Sequence, residues 1–107
     1  MAPAEPAQGF VAVLTVELHF PDCESLKAKR RELAPVKAHL ANRLGASVAE
    51  VAHQDRWQRA TLLATLAGGS PAHLDEAGER LRGWLDARFV QGAHVECRIL
   101  SLRDMQG

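Results

Sequence analysis

The sequence predicts an α+β domain, and three observations support that prediction. Residues 10–20 alternate between apolar and polar side chains, which is typical of a strand with one buried face. Two long segments repeat their apolar residues at helical spacing, and turn residues separate them from three further strand candidates. The predicted order is β-α-β-β-α-β. With right-handed crossovers, this order most simply gives a ferredoxin-like sandwich, in which two helices cover one face of a four-stranded antiparallel sheet.

The first helix is expected over residues 26–44, where apolar residues form one helical stripe. Ser25 is a suitable N-cap residue, and Gly45 suits the left-handed position that often follows a helix end. Pro35 lacks a backbone N–H and interrupts the pattern. We therefore expect either a kink at Pro35 or a second helical segment that begins there.

The remaining elements follow from turn and cap signals. A loop over residues 53–58 has about the length of a hairpin connection. Ser70 and Pro71 are typical of a helix start. The predicted elements are strands over 47–53, 59–67 and 94–102, and a second helix over 71–89. The predicted organisation is a disordered leader over residues 1–9, a single domain over 10–103 and a fraying tail over 104–107.

Composition and charge exclude several classes of protein. The chain has 107 residues, 47% of them apolar, which is enough to form a core and excludes a disordered chain. Thirteen basic and 13 acidic residues give zero net charge, which argues against a generic polyanion binder. No apolar run is long enough to span a membrane, and residues 1–9 lack the pattern of a signal peptide. Two cysteines far apart in sequence suit a reducing compartment, so we expect a cytoplasmic protein without a membrane partner.

The strongest local feature is a basic segment in the first helix. Residues 27–43 contain six cationic residues and one acid, a net charge of +5, which leaves −5 on the rest of the chain. Such asymmetry can orient a protein on a phosphate backbone. The alternative is a solvated helix face, with Lys29, which falls inside the apolar stripe, extending past the edge of the core. The candidate phosphate-binding residues are Lys27, Lys29, Arg30, Arg31, Lys37 and Arg43.

A second candidate site lies in the loop between the two middle strands. The loop contains the sequence Asp-Arg-Trp-Gln at positions 55–58, and tryptophan is common at the centre of protein interfaces. Trp57 could anchor a partner, with Asp55 and Gln58 beside it. The alternative is a ring that folds over the end of the sheet and covers the core.

The open face of the predicted sheet suggests a different mode of binding. Glu17, Glu50, Glu96 and Arg98 are expected to point outward, together with Thr15. No aromatic side chain is expected on this face, which argues against base stacking on the sheet as in RNA-recognition domains. A face of mixed charge suits water or a second copy of the same sheet. The alternative to RNA binding is therefore a homodimeric protein-binding or regulatory module that uses this open face.

No pattern typical of catalysis is found in the sequence. The five histidines show no metal-ligand spacing, and neither a nucleophile–base pair nor a phosphate-binding glycine loop can be identified. Cys23 lies near a helix start but has no Cys-x-x-Cys partner, so we interpret it as an ordinary thiol. We therefore expect a protein without enzymatic activity, cofactor or metal.

Three short strings together resemble the YlxP-like family of small bacterial proteins. They are CESLKAKRR at residues 23–31, SVAEV at residues 47–51 and DRWQRA at residues 55–60. The chain departs from the family pattern at residues 44–46, where relatives more often have an aromatic residue and an asparagine.

The resemblance implies a ferredoxin-like fold and no established catalytic residue or cofactor. Genes of the family often lie beside those of a translation initiation factor and of ribosome-binding factor A. This association favours ribosomal RNA or a ribosome-assembly protein as the partner. The leading hypothesis is thus a non-enzymatic protein that acts near ribosome assembly or translation and contacts RNA phosphate through its basic helix start.

Overall fold

The computed structural model describes residues 7–90 and 92–106, and these residues form an α+β fold. They contain one four-stranded open sheet and three helices. The elements are β1 (Phe10–His19), α1 (Leu26–Asn42), β2 (Ser47–Ala52), β3 (Arg59–Gly68), α2 (Pro71–Arg88), β4 (Ala93–Ser101) and α3 (Leu102–Gln106). Residues 1–6 of the predicted leader lie outside the described residues, and residues 7–9 precede β1 without regular structure.

The sheet is antiparallel throughout, with the strand order β2-β3-β1-β4. The predicted α+β class and four-stranded antiparallel sheet are therefore confirmed. The long alternating strand β1 lies between β3 and β4, with Leu14 opposite Ala64 on one side and Cys97 on the other. A register shift between Glu50 and Ala52 interrupts the pairing of β2 with β3.

The core lies on the face of the sheet that α1 and α2 cover. Leu14, Val16 and Leu18 of β1 are almost completely buried, as the alternation predicts. Side chains from both helices join them in one apolar cluster, which includes Leu33, Val36 and Leu40 of α1 and Leu81 and Leu85 of α2. Both helices thus pack on the same side of the sheet.

Helix α1 begins and ends close to the predicted positions. The Ser25 side chain accepts a hydrogen bond from the Ala28 N–H at 3.0 Å, which satisfies one free donor of the first turn. Gly45 has a φ of 71°, the left-handed conformation expected after the helix. The helix is continuous through Pro35. No second segment begins there, and tertiary packing of the apolar stripe offsets the missing hydrogen bond.

The structure has a helix, α3, where the sequence analysis predicts a fraying end. Ser101 and Asp104 form a reciprocal cap: the Ser101 N–H donates to Asp104 Oδ2 and the Asp104 N–H donates to Ser101 Oγ, both at 2.9 Å. The hydrogen bonds from Ser101 lower the pKa of the Asp104 carboxyl. The Leu102 N–H also donates to the Gly9 carbonyl, which joins this end of the chain to the start of β1.

No helix of the described residues covers the other face of the sheet. The register places Thr15 between Leu63 and Glu96, and places Glu17 between Thr61 and His94, on this open face. The Thr61 hydroxyl donates to Glu17 Oε1 at 3.4 Å. Apolar side chains on the same face are only partly exposed, namely Val11, Val13, Leu63 and Leu100.

Candidate functional site

Two loops and the start of α1 meet at one end of the sheet. The first loop, residues 20–25, connects β1 to α1, and the second, residues 53–58, connects β2 to β3. The Phe20 N–H donates to the Gln58 carbonyl at 2.9 Å. The Gln58 amide donates to the Pro21 and Cys23 carbonyls, both at 3.4 Å. The structure thereby brings together the three strings on which the family resemblance rests.

The buried side chain of Lys29 joins α1 to the end of β2 and to the second loop through an ion pair and hydrogen bonds. Its side chain is only 2% exposed, and Nζ lies 2.9 Å from Glu50 Oε2. The ammonium also donates to the His53 carbonyl at 2.7 Å and to the Gln54 carbonyl at 3.5 Å. His53 has a φ of 63°, an uncommon conformation for a residue other than glycine. A buried lysine is tolerated because an opposite charge and carbonyl oxygens replace its water.

This arrangement corrects two of the sequence predictions. Lys29 was expected among the phosphate-binding residues, but its ammonium faces inward and its donors are used within the chain. Glu50 was expected on the open sheet face, but it lies on the helix side of β2, where it meets Lys29. Apart from this ion pair, the buried Oε2 atom has no hydrogen-bond partner among the described residues.

The other cations of α1 lie on the surface, and four of them share one side of the helix. Lys27, Arg30, Arg31 and Lys37 are all exposed, and at 100° per residue they fall within about 120° of the helix circumference, away from the buried stripe. We call these four residues the basic face. No acid falls in that arc, whose other members are Ala34, Ala38 and Ala41. Within residues 7–90 and 92–106, none of the four cations makes a salt bridge.

Arg43 does not belong to the basic face. It is exposed but occupies the C-cap position of α1, at the opposite end from Lys27, where its N–H donates to the His39 carbonyl. A cation at a helix C-terminus is favoured by the helix dipole. Arg43 is therefore explained by the helix itself, without a ligand.

The second loop presents Trp57 to solvent. The residue is 51% exposed, more than is expected of a ring that folds over the end of the sheet and covers the core. Asp55, Trp57 and Gln58 line a shallow hollow. Sequence reasoning missed two further lining residues, Arg56 and Arg59. The signal was available, because both arginines flank the tryptophan within two residues.

Neither cysteine has the properties of a reactive thiolate. Burial raises the pKa of the Cys23 thiol, and the carboxylates of Glu32 and Asp22 raise it further. Burial likewise raises the pKa of the Cys97 thiol, although Arg82 opposes the shift. Both thiols are therefore protonated and weak nucleophiles at neutral pH.

Two other kinds of feature, a metal-binding cluster and a membrane-spanning helix, are absent from residues 7–90 and 92–106. Residues 7–90 and 92–106 contain no group of three His, Cys, Asp or Glu side chains that could hold a metal ion. None of the helices in this part of the chain is long and apolar enough to cross a membrane.

Comparison with known proteins identifies a family without assigning a function. No curated protein matches the chain. The family described as "protein of unknown function (DUF503)" matches residues 11–102, which span all four strands and both long helices apart from the first residue of β1. The chain belongs to this family of unknown function.

Proposed function

We propose that this protein binds RNA through phosphate contacts from the basic face and acts in the cytoplasm, without catalysis, near ribosome assembly or translation. The observation behind the proposal is the basic face itself, four exposed cations on one side of α1 with no acid among them. The resemblance to YlxP-like proteins, whose genes often neighbour those of a translation initiation factor and of ribosome-binding factor A, favours ribosomal RNA or an assembly protein as the partner.

Because Lys29 is buried, the cations of α1 that a ligand can reach are the exposed ones. The lysine is neutralised internally by Glu50, so the cations of residues 27–43 that solvent reaches are the basic face and Arg43, against the single acid Glu32. Glu32 lies outside the arc of the basic face. A phosphate backbone would therefore meet cations only, and each contact would release counterions.

We further propose that the fold is a ferredoxin-like sandwich. The strand order β2-β3-β1-β4 and the packing of α1 and α2 on one side of the sheet support this assignment. In this arrangement the start of α1 and the β2–β3 loop lie at the same end of the sheet. The second loop, which carries Trp57 (the Trp57 loop), thus lies at the same end of the sheet as the start of α1, where Lys27, Arg30 and Arg31 begin the basic face.

The test is co-sedimentation with ribosomal subunits from a native lysate at low and moderate salt. The wild-type protein should migrate with a subunit at low salt and dissociate as salt rises. A double variant, Arg30→Glu with Arg31→Glu, should stay at the top of the gradient. The matched control is Arg80→Glu with Arg103→Glu, which makes the same charge change at exposed arginines outside α1 and should migrate like wild type. Salt-independent migration, or equal loss in both variants, would contradict the proposal.

A homodimer through the open sheet face is the second candidate function. Val11, Val13, Leu63 and Leu100 form a partly exposed apolar area that no helix of the described residues covers. Glu96 and Arg98 alternate along β4 beside this area, so a second copy in the opposite direction could pair the unlike charges. This candidate predicts a molecular mass that rises with concentration, and loss of association in Arg98→Glu but not in Arg30→Glu. A mass that stays constant with concentration would exclude it.

A further inference from the structure

We infer that Trp57 is a stacking platform for one unpaired nucleobase, so that the RNA bound by this protein is single-stranded at the Trp57 loop. This inference rests on the proposed function, because it specifies the class of RNA that the basic face would hold. The relevant observations are the exposure of Trp57, the fastening of its loop and the charges around it.

Trp57 is exposed although a tryptophan gains much from burial. The residue is 51% exposed, whereas Trp84, the other tryptophan, stacks on His39 at a centroid distance of 4.0 Å. Full burial of an aromatic side chain removes roughly 150–250 Å² from water. Leaving half of the residue in solvent therefore gives up stabilisation, and the exposed surface is available to a ligand.

The loop that presents Trp57 is held on both sides of the ring. Before it, the Arg56 N–H donates to the His53 carbonyl at 3.0 Å, and the same carbonyl accepts from Lys29 Nζ. After it, Gln58 is bound to residues of the first loop through its backbone carbonyl and its side-chain amide. A ring in a fastened loop is preorganised, so binding loses less conformational entropy than it would in a free loop.

The charges in the hollow suit a base with phosphates beside it. Arg56 and Arg59 line the same hollow as Trp57, and both guanidinium groups can bind phosphate or stack on a base. Asp55 also lines the hollow and repels phosphate, but a carboxylate can accept a hydrogen bond from a base amine or a ribose hydroxyl. The hollow therefore favours a nucleoside on the ring over a phosphate in its centre.

A duplex cannot use this platform without opening. Bases of A-form RNA are stacked on one another, and protein aromatic side chains reach them in single strands, bulges and loops. Lys29 joins the Trp57 loop to the first turn of α1, and Gln58 joins it to the loop that precedes this helix. A strand with one base on Trp57 would therefore extend its phosphates toward Lys27, Arg30 and Arg31 at the start of α1.

The experiment measures binding of two fluorescein-labelled probes, an oligouridylate of about 12 nucleotides and an RNA duplex of the same length. Stacking contributes roughly 1–3 kcal/mol per base, so Trp57→Ala should weaken oligouridylate binding about 5-fold to 150-fold. Trp57→Phe should restore most of the affinity, because phenylalanine keeps an aromatic face. The salt dependence should be unchanged in Trp57→Ala, because no phosphate contact is removed, and duplex binding should be unaffected.

The variants separate failure of this inference from failure of the proposed function. One outcome is that the double variant Arg30→Glu with Arg31→Glu abolishes oligouridylate binding while Trp57→Ala leaves it intact. That outcome would overturn the stacking platform and keep the phosphate contact. Equal weakening of single strand and duplex by Trp57→Ala would also overturn it. No binding of either probe by the wild-type protein would overturn both proposals.

Discussion

Helices α1 and α2 cover the same face of the sheet, with 17 and 18 residues, yet their exposed sides differ. The exposed side of α2 carries both signs of charge, and Arg82 on it pairs with Glu79 and donates to the Val95 carbonyl of the edge strand β4. The basic face of α1 carries one sign and makes no salt bridge within the described part of the chain. Packing against the sheet explains the buried side of each helix. It does not explain why the basic face of α1 carries charges of one sign whereas the exposed side of α2 carries both.

The largest expected effect concerns Lys29, the buried cation of α1. Lys29→Ala should destabilise the protein by about 3–5 kcal/mol, because Glu50, whose Oε2 atom is buried, loses its counter-charge. Urea denaturation followed by circular dichroism measures the change. The double variant Lys29→Met with Glu50→Leu removes both charges and should recover most of the loss. A loss below about 1 kcal/mol in Lys29→Ala would show that the ion pair is solvated rather than buried.

Lys29 and Glu50 also show what the sequence could and could not predict. Helical periodicity correctly placed Lys29 in the apolar stripe of α1, and alternation correctly predicted the buried face of β1. The same alternation puts Glu50 on the side of Val48, but its charge led to the opposite prediction. Only the tertiary fold shows that the ammonium group of Lys29, 21 positions earlier in the chain, lies beside Glu50 on the helix side of the sheet.

The sequence predicted the two segments that form the candidate site, but not that the fold brings them close together. The basic segment and the Trp57 loop stand out in the sequence, whereas their proximity depends on Lys29 and Gln58 binding backbone carbonyls. Backbone carbonyls have no sequence signature, so such contacts leave no pattern to read. Helix α3 was not predicted, because Ser101 was assigned to the last strand and Asp104 to a fraying tail, which separated the two members of the reciprocal cap.

The second prediction compares the exposed cations of the two helices in RNA binding. Arg31→Ala should lower the slope of log affinity against log salt by about one, as expected for the loss of one phosphate contact. Arg80→Ala, an exposed arginine of α2, should leave the slope unchanged. Fluorescence anisotropy with oligouridylate at several salt concentrations gives both slopes. If the two variants gave the same slope, the cations of the basic face would not be the reason for RNA binding.

The third prediction concerns the contact between the two helices. Burial lowers the pKa of His39, which stacks on Trp84 of α2, and repulsion by Arg43 lowers it further. Arg88 also lies over the Trp84 ring, 5.5 Å from its centroid, and adds a second cation on that side. Below a pH of about 6.5 the unfolded chain therefore binds more protons at this residue than the folded chain does. The stability present above that pH should be lost as the pH falls through it.

His39→Phe is the control for this pH effect. Phenylalanine keeps an aromatic ring against Trp84 but cannot be protonated. As the pH falls from about 7.5 to about 5.5, the urea midpoint of the wild type should decrease relative to that of His39→Phe. A difference that stays constant over this range would show that His39 titrates equally in the folded and unfolded chain.

The smallest expected effect bears most directly on the comparison between the helices. Lys27 lies in the first turn of α1, which contains no acid, so its charge opposes the helix dipole there. Lys27→Gln should therefore raise the free energy of unfolding by about 0.3–1 kcal/mol at low ionic strength. Arg80→Gln, in the middle of α2, should change it by less than about 0.5 kcal/mol.

The same Lys27→Gln variant should bind RNA more weakly, with a smaller salt slope. A change that stabilises the fold and weakens binding would separate the two roles within one helix: Lys29 holds the structure together, whereas Lys27 lowers stability and is useful only to a ligand. Destabilisation by Lys27→Gln would mean that this lysine has a structural partner, and the basic face would then begin at Arg30.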